Sequence, residues 1–171
     1  LTRIAIALLH YPVLDRSGTT VTTAITNLDL HDMARSARTY GASDLFVVHP
    51  VQAQRLLAER IRAHWVEGSG KRRIPDRATA MDILRVVPSI EDVFETLGGR
   101  AHMQLWSTGA SARLGSVASY ATARERLATS NLPVLIVFGT GWGLADTILE
   151  LADIRIEPIR ARIDRDYNHL S

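Results

Sequence analysis

The 171-residue chain contains no cysteine. That absence excludes disulfides, a thiolate metal site and a cysteine nucleophile, and it fits a cytoplasmic protein. No apolar run approaches the roughly 20 residues needed to span a bilayer. The apolar N-terminal stretch LTRIAIALLHYP is short and has no small-residue cleavage site, so a first strand over Arg3–Leu9 is expected there rather than a signal segment. No HExxH or paired histidine spacing occurs, so no metal is expected; His10 and His49 at strand ends and His64 near a helix end read as surface or capping residues. A GxSxG nucleophile turn is missing, although Ser107, Thr108, Ser111 and Arg113 lie close together. GxGxxG with a following acidic residue is missing too, which disfavours nicotinamide binding. Lysine is nearly absent: of 20 basic residues, Lys71 alone is not arginine.

Arginine forks onto phosphate and stacks on bases, which suits RNA; a genome rich in G and C would also favour it, and a net charge of +2 does not decide between the two. One stretch is denser. Arg55, Arg60, Arg62, Lys71, Arg72, Arg73 and Arg77 stand against Glu59, Glu67 and Asp76, with Trp65 among them. Either an RNA-facing patch or a solvated helix face with a polar loop accounts for this.

With 46% apolar residues and no low-complexity tract, the chain reads as one domain, residues 1–171, large enough to bury a core. Strands are expected at Arg3–Leu9, Asp44–Val48, Leu84–Val87, Met103–Ser107, Pro133–Phe138 and Ile154–Ile156, each rich in β-branched or large apolar residues. Helices are expected between them. Leu28–Tyr40 sets Leu30, Met33, Ala34, Ala37 and Tyr40 on one stripe, with Asn27 as N-cap and Gly41 as the stop. Pro50–Trp65 and Ser116–Leu127 read alike, and Ser89-Ile90-Glu91-Asp92 starts a helix closed by Gly98-Gly99. EGSGKRRIP, after Trp65, reads as a flexible loop. This alternation implies an α/β fold with a mostly parallel sheet covered by helices on both faces. Trp106, inside a strand, belongs to the core.

The sharpest motif is PVLIVFGTGWGL, Pro133–Leu144, where a buried strand stops in Gly139, Gly141 and Gly143 and leaves main-chain groups bare for a ligand. ADIRIEPI and DYNHLS follow. In order, VFGTGWGL, ADIRIEPI and DYNHLS resemble the motifs of the SPOUT class of RNA methyltransferases, the SpoU and TrmD relatives. NLDLHDMARSARTYG, from Asn27, is similar to their first motif, so the resemblance covers nearly the whole chain. LLHYPVLDRSG and TAITNLDLHD, with the DYNHLS ending, resemble a bacterial subgroup, some of whose members are fused to TrmD.

The resemblance implies a SPOUT fold with a C-terminal deep trefoil knot, S-adenosylmethionine as cofactor, RNA (tRNA above all) as substrate and a homodimer. It places Arg35 as the catalytic arginine, with Asn27, Asp29, His31 and Arg38 as substrate-binding residues. It gives a cofactor set of Thr108, Gly109 and Ala110; Phe138, Gly139, Thr140, Gly141 and Gly143; Ile156, Pro158 and Ile159; and Asn168 and Leu170. Two departures stand out. SpoU enzymes carry Asn-Glu within the glycine turn where this chain has only Thr140, and the family's C-terminal helix is missing after Ser171. The domain is therefore expected to lack its last helix or to be a fragment of a longer protein, as Leu1 in place of Met also suggests. Two alternatives remain open: a knotted RNA- or nucleotide-binding module without turnover, and an unrelated doubly wound enzyme that binds phosphate at Gly139–Gly143.

Overall fold

The apolar runs of Ile4–Leu9, of Asp44–Val48 after its leading aspartate, and of Val134–Gly139 can bury both faces of a strand, and in the computed structural model, which describes residues 2–163 and 167–169, they lie side by side at the centre of one sheet. The elements are β1 (Ile4–Leu9), β2 (Val13–Leu14), β3 (Thr20–Val21), α1 (Asn27–Thr39), β4 (Asp44–Val48), α2 (Gln52–Val66), α3 (Ser69–Arg73) and α4 (Pro75–Met81). They continue with β5 (Leu84–Val87), α5 (Ile90–Thr96), β6 (Gln104–Ser107), α6 (Tyr120–Thr129), β7 (Val134–Gly139), α7 (Asp146–Leu151) and β8 (Ile154–Arg155). Six strands form a parallel sheet in the order β5-β4-β1-β7-β6-β8. The chain winds outward from β1 through β4 to β5. It then crosses to β6, inserts β7 between β6 and β1, and places β8 outside β6.

In-register residues sort the sheet into two faces. Ala5, Ala7 and Leu9 share one face with Phe46, Val48, Leu135, Val137 and Leu105, packed on Val93 and Phe94 of α5 and on Ile148 and Leu149 of α7. Opposite, Leu45 and Val47 pack on Leu30, Ala34, Ala37, Ala58 and Met81 from α1, α2 and α4. Val134, Trp106 and Ile154 pack on Ala123 of α6, and Trp106 is core as expected. The expected parallel sheet with helices on both faces is thus present, and no helix is long and apolar enough to cross a membrane among the described residues.

Several local expectations are corrected. Thr26, not Asn27, caps α1: its extended backbone lets Oγ1 accept from the Asp29 N–H at 3.1 Å, and Asn27 is the first helical residue. Helix α6 starts at Tyr120 behind the cap Ser119, four residues later than Ser116. Residues 67–75 are not a flexible loop. Gly70, having no side chain, lets α3 lie against Trp65, and Pro75 opens α4 at its first turn. The hairpin β2–β3 had no periodic signal, since its strands are two residues each; Asp15 Oδ1 accepts from Ser17 and Thr19 and closes its turn.

Candidate functional site

Parallel strands deliver their following loops to one edge of the sheet. The loops after β6, β7 and β8 meet there around a cleft of about 540 Å3. Ser107, Thr108, Gly109, Ala110 and Ser111 come from the first loop, with Arg113 and Val117 further along it. Gly139, Gly141, Trp142 and Gly143 come from the second, and Arg155 and Ile156 from the end of β8. Leu149 of α7, Asn168 and His169 complete the lining.

The glycine turn after β7 is built by close approach. A Cβ on Gly139 would stand 2.7 Å from the Leu144 nitrogen, and one on Gly141, at φ +60°, 2.9 Å from the Leu14 oxygen. The hairpin strand β2 clamps the turn: Trp142 N–H donates to the Leu14 carbonyl and Leu14 N–H to the Gly143 carbonyl, both at 2.9 Å. Trp142 is thereby fixed in its backbone while its side chain stays 64% exposed at the cleft rim. Arg113 reaches across to donate to the Leu144 carbonyl and lies 3.4 Å from Asp146. Asn168 donates to the Ala110 carbonyl and so ties the C-terminal segment to the first loop.

Among the described residues, two buried polar atoms in this lining have no partner: Ser107 Oγ and Asn168 Oδ1. A buried hydroxyl or amide oxygen left unpaired costs roughly 1–3 kcal/mol, so both favour a ligand that bonds to them. With bare glycine main chain, the apolar walls Val117, Leu149 and Ile156, and two guanidiniums, the cleft suits a nucleoside carrying an amino-acid tail. Such is S-adenosylmethionine, and the residues fit it. Among the described residues the lining contains no carboxylate.

Of the expected cofactor residues, the cleft gathers Thr108, Gly109, Ala110, Gly139, Gly141, Gly143, Ile156 and Asn168. Phe138, in register with Leu8, is half-buried outside it; Pro158 is buried and Ile159 exposed outside it; Leu170 lies outside the described residues. Thr140 turns the other way. Its hydroxyl donates to the Leu9 carbonyl at 3.1 Å and accepts from Thr23 Oγ1, which in turn accepts from His10 Nδ1 at 3.1 Å. His49 Nε2 donates to the Thr23 carbonyl at 2.8 Å, and His49 Nδ1 accepts the Val51 N–H at 3.1 Å. His10 and His49 are therefore not surface or capping residues but a buried pair, their rings 5.5 Å apart. Burial, then the neighbouring His49, pushes His10 down to about 4 against the opposing pull of Asp29, and burial likewise holds His49 below the usual range. This polar bridge anchors the glycine turn to β1 and β4.

None of the expected α1 residues lines the cleft. Arg35 and Asp32, both 60% exposed, pair at 3.5 Å one turn apart; Asn27 and Arg38 are exposed and Asp29 is half-buried. His31 is half-buried against Trp65. Ser107, Ser111, Arg113, Val117, Trp142, Leu149, Arg155 and His169 line the cleft without having been assigned to it. His169 and Trp142 sat within the quoted motifs and Ser107, Ser111 and Arg113 within the first loop. Arg155 sat within the quoted ADIRIEPI, whereas Val117 and Leu149 carried no signal, because only the fold sets them at the same edge.

The family described as SAM-dependent RNA methyltransferase matches residues 3–171. A tRNA (guanine-N(1)-)-methyltransferase of Nitratidesulfovibrio vulgaris is 39% identical over 165 residues, covering 96% of this chain and 38% of that relative. An uncharacterized protein of Aquifex aeolicus is 32% identical over 169 residues, 98% of this chain and 82% of that one. In fold, the chain resembles the crystal structure of TrmJ from Z. mobilis, with a TM-score of 0.58 at 18% identity, over 97% of this chain and 61% of that one. The chain thus spans well under half the length of the tRNA methyltransferase it matches.

Proposed function

Since the chain belongs to the family of SAM-dependent RNA methyltransferases, we propose that it transfers a methyl group from S-adenosylmethionine to RNA, with tRNA as the substrate, in the cytoplasm. The observation that carries this is the cleft itself: three consecutive strand-end loops converge, and two of its buried polar atoms, Ser107 Oγ and Asn168 Oδ1, have no partner among the described residues. The bound cofactor supplies a methyl group already activated on a sulfonium. The protein has then to hold, orient and exclude water, and one proton must leave the acceptor.

In this reading the turn Gly139–Gly143 and the backbone of Thr108–Ala110 hold the adenosyl part, Leu149 and Ile156 wall its faces, and Arg113 and Arg155 face its carboxylate end. Trp142, rigid and exposed at the rim, covers the acceptor nucleotide. Residues 1–171 form one SPOUT domain of the subgroup with the GTGWGL and DYNHLS motifs. Insertion of β7 between β1 and β6, with β8 passing outside β6, is a strand order that supports a knotted path for the segment after β8. Arg35 is the catalytic arginine, holding substrate phosphate. Because Arg35 does not line the cleft of its own chain, the reading includes a homodimer in which α1 of a second copy, with Asn27, Asp29, His31 and Arg38, presents RNA to the cleft. Among the described residues the lining holds no carboxylate, and His169 is a side chain of that lining able to take the acceptor's proton.

The test has three parts. Titration calorimetry with S-adenosylmethionine should give saturable heat; none at millimolar cofactor removes the proposal. Labelled methyl should enter bulk tRNA; cofactor binding without transfer would favour a non-catalytic knotted module. Arg35→Ala should lower kcat about a hundredfold or more, the scale of lost transition-state contacts, with cofactor affinity intact. Full activity in that variant removes the assignment of Arg35.

A further inference from the structure

The corner where α2, α3 and α4 meet carries cations that the cleft does not use. Its centre is Trp65. His31 of α1 and His64 meet this ring edge-on, with centroids at 5.5 and 5.1 Å, and the Arg77 guanidinium carbon lies over it at 4.8 Å from the centroid. Gly70 of α3 approaches so closely that a Cβ there would stand 2.6 Å from Trp65 Cε3. Trp65 is therefore not a free platform for a base. It is a mount that fixes Arg77 and seats α3.

A guanidinium stacked on indole keeps its N–H edge outward and loses little further freedom on gripping an oxyanion. Lys71, Arg72 and Arg73 continue outward from the same mount, all exposed. Among the described residues, none of these four cations has a carboxylate within ion-pair distance; the nearby ion pairs are Arg62 with Asp82 at 4.0 Å and Arg35 with Asp32. Glu67 and Asp76 are the remaining acidic groups of residues 67–77, too few to neutralise the corner. Arg77 and Arg35 also act together on His31: burial first, then Arg77, with Arg35 adding and Asp32 opposing, holds this imidazole below its ordinary range. The field from α4 thus runs on into that of α1.

We infer that Arg77, fixed on Trp65, and the α3 run Lys71–Arg73 form a track that grips the phosphate backbone of RNA and extends outward from Arg35 on α1. The identification of the polyanion as RNA rests on the methyltransferase reading. The track reads no bases, because guanidinium and ammonium groups without a free aromatic face contact phosphate irrespective of sequence. It adds affinity and steers the substrate while the loops at the cleft choose the nucleotide.

The experiment is fluorescence anisotropy of labelled bulk tRNA from 50 to 300 mM KCl with wild type, Arg77→Ala and the triple variant Lys71→Glu/Arg72→Glu/Arg73→Glu. Calorimetry with S-adenosylmethionine and thermal melts are run alongside. The triple variant should bind tRNA at least about tenfold more weakly at 100 mM KCl, with the slope of log K against log salt reduced by about 3. Arg77→Ala should reduce that slope by about 1. Cofactor affinity should remain within about twofold, since no track residue lines the cleft. Wild-type affinity and slope in both variants, with normal melts, overturn the track while leaving the methyltransferase reading intact. A wild type that binds cofactor but no tRNA at 50 mM KCl overturns the track together with the RNA half of that reading, and leaves the corner to an acidic protein partner. Weakened tRNA binding in the variants of a protein that gives no heat with cofactor supports the track and defeats the cofactor assignment.

Discussion

Gly139 ends the central strand β7 where the chain doubles back on Leu144, and a methyl group there has nowhere to go: the Leu144 nitrogen at 2.7 Å and the Gly143 carbonyl carbon at 3.0 Å are both backbone. Backbone cannot swing aside as a side-chain tip can, so the whole turn must shift. Gly139→Ala should therefore cost about 1–3 kcal/mol of stability by overpacking. Because the turn lines the cleft, calorimetry should also show S-adenosylmethionine affinity falling tenfold or more. Gly98→Ala is the control. Its φ of +97° strains any side chain, but there is open space around the new methyl and it has no part in the cleft, so it should lose stability while cofactor affinity stays unchanged. Equal affinity in Gly139→Ala would mean that the turn does not hold the cofactor. Such glycines are legible in a sequence, since alternate glycines after an apolar run have few other uses. Asn168 was legible only through its DYNHLS motif, and Ser107 was not: the value of each lies in a buried oxygen left unpaired among the described residues, and burial is set by residues tens of positions away. Thr140 misleads for the same reason, as its place in the glycine motif says nothing of Thr23 and His10 waiting behind it.

At the scale of elements, three strands of the sheet meet in one carboxylate. Asp44, first residue of β4 with its side chain only 3% exposed, accepts from Arg3 just before β1 at 2.7 Å, from Arg85 of β5 at 2.6 Å and from Ser43 at 2.8 Å. Burial alone would raise this carboxyl, but the hydrogen bonds from Arg85, Arg3 and Ser43 outweigh it and hold it below the usual range. Removing one partner of a fully buried pair costs about 3–5 kcal/mol, because the survivor is stranded. Here the arginines stranded by Asp44→Ala are about half exposed and can rehydrate, which lowers the expected loss to about 2 kcal/mol, measurable as a lower urea midpoint. Arg3→Ala should cost less, as Arg85 and Ser43 remain; equal losses would mean that the cluster is not centred on Asp44. The strands themselves were legible almost to the residue, because their apolar runs are continuous and bounded by helix caps or glycines. What escaped was short or compensated. The two-residue strands of β2–β3 present no period, and α3 contains the glycine that ordinarily argues against a helix, yet Gly70 is required there for contact with Trp65.

For the molecule as a whole, the buried histidines and Asp44 push acid stability in one direction. His10, His31 and His49 all sit below their ordinary range chiefly through burial, so the folded chain declines protons that the unfolded chain accepts. Between the folded value of His10, about 4, and its ordinary 6.5, the unfolded state binds more protons, and stability must rise with pH across that window. Read downward, stability present at neutrality is lost as pH falls from about 6.5 toward 4. At about 1.4 kcal/mol per pH unit, His10 alone accounts for about 3 kcal/mol of that loss. Asp44 adds a further loss at lower pH, where the unfolded chain protonates this carboxyl first. Urea unfolding of wild type and His10→Asn at pH 7 and pH 4.5 separates this source from the rest. The variant should be less stable at pH 7, through its lost place beside Thr23, but the gap should close by about 2–3 kcal/mol at pH 4.5, since asparagine takes no proton in that interval. Parallel pH curves for the two proteins would rule out a neutral, buried His10 as the source. Because Thr23 and Thr140 connect this imidazole to the glycine turn, cofactor affinity in the wild type should hold through that interval, where folded His10 stays neutral, and weaken only as pH approaches about 4, while His10→Asn stays flatter there.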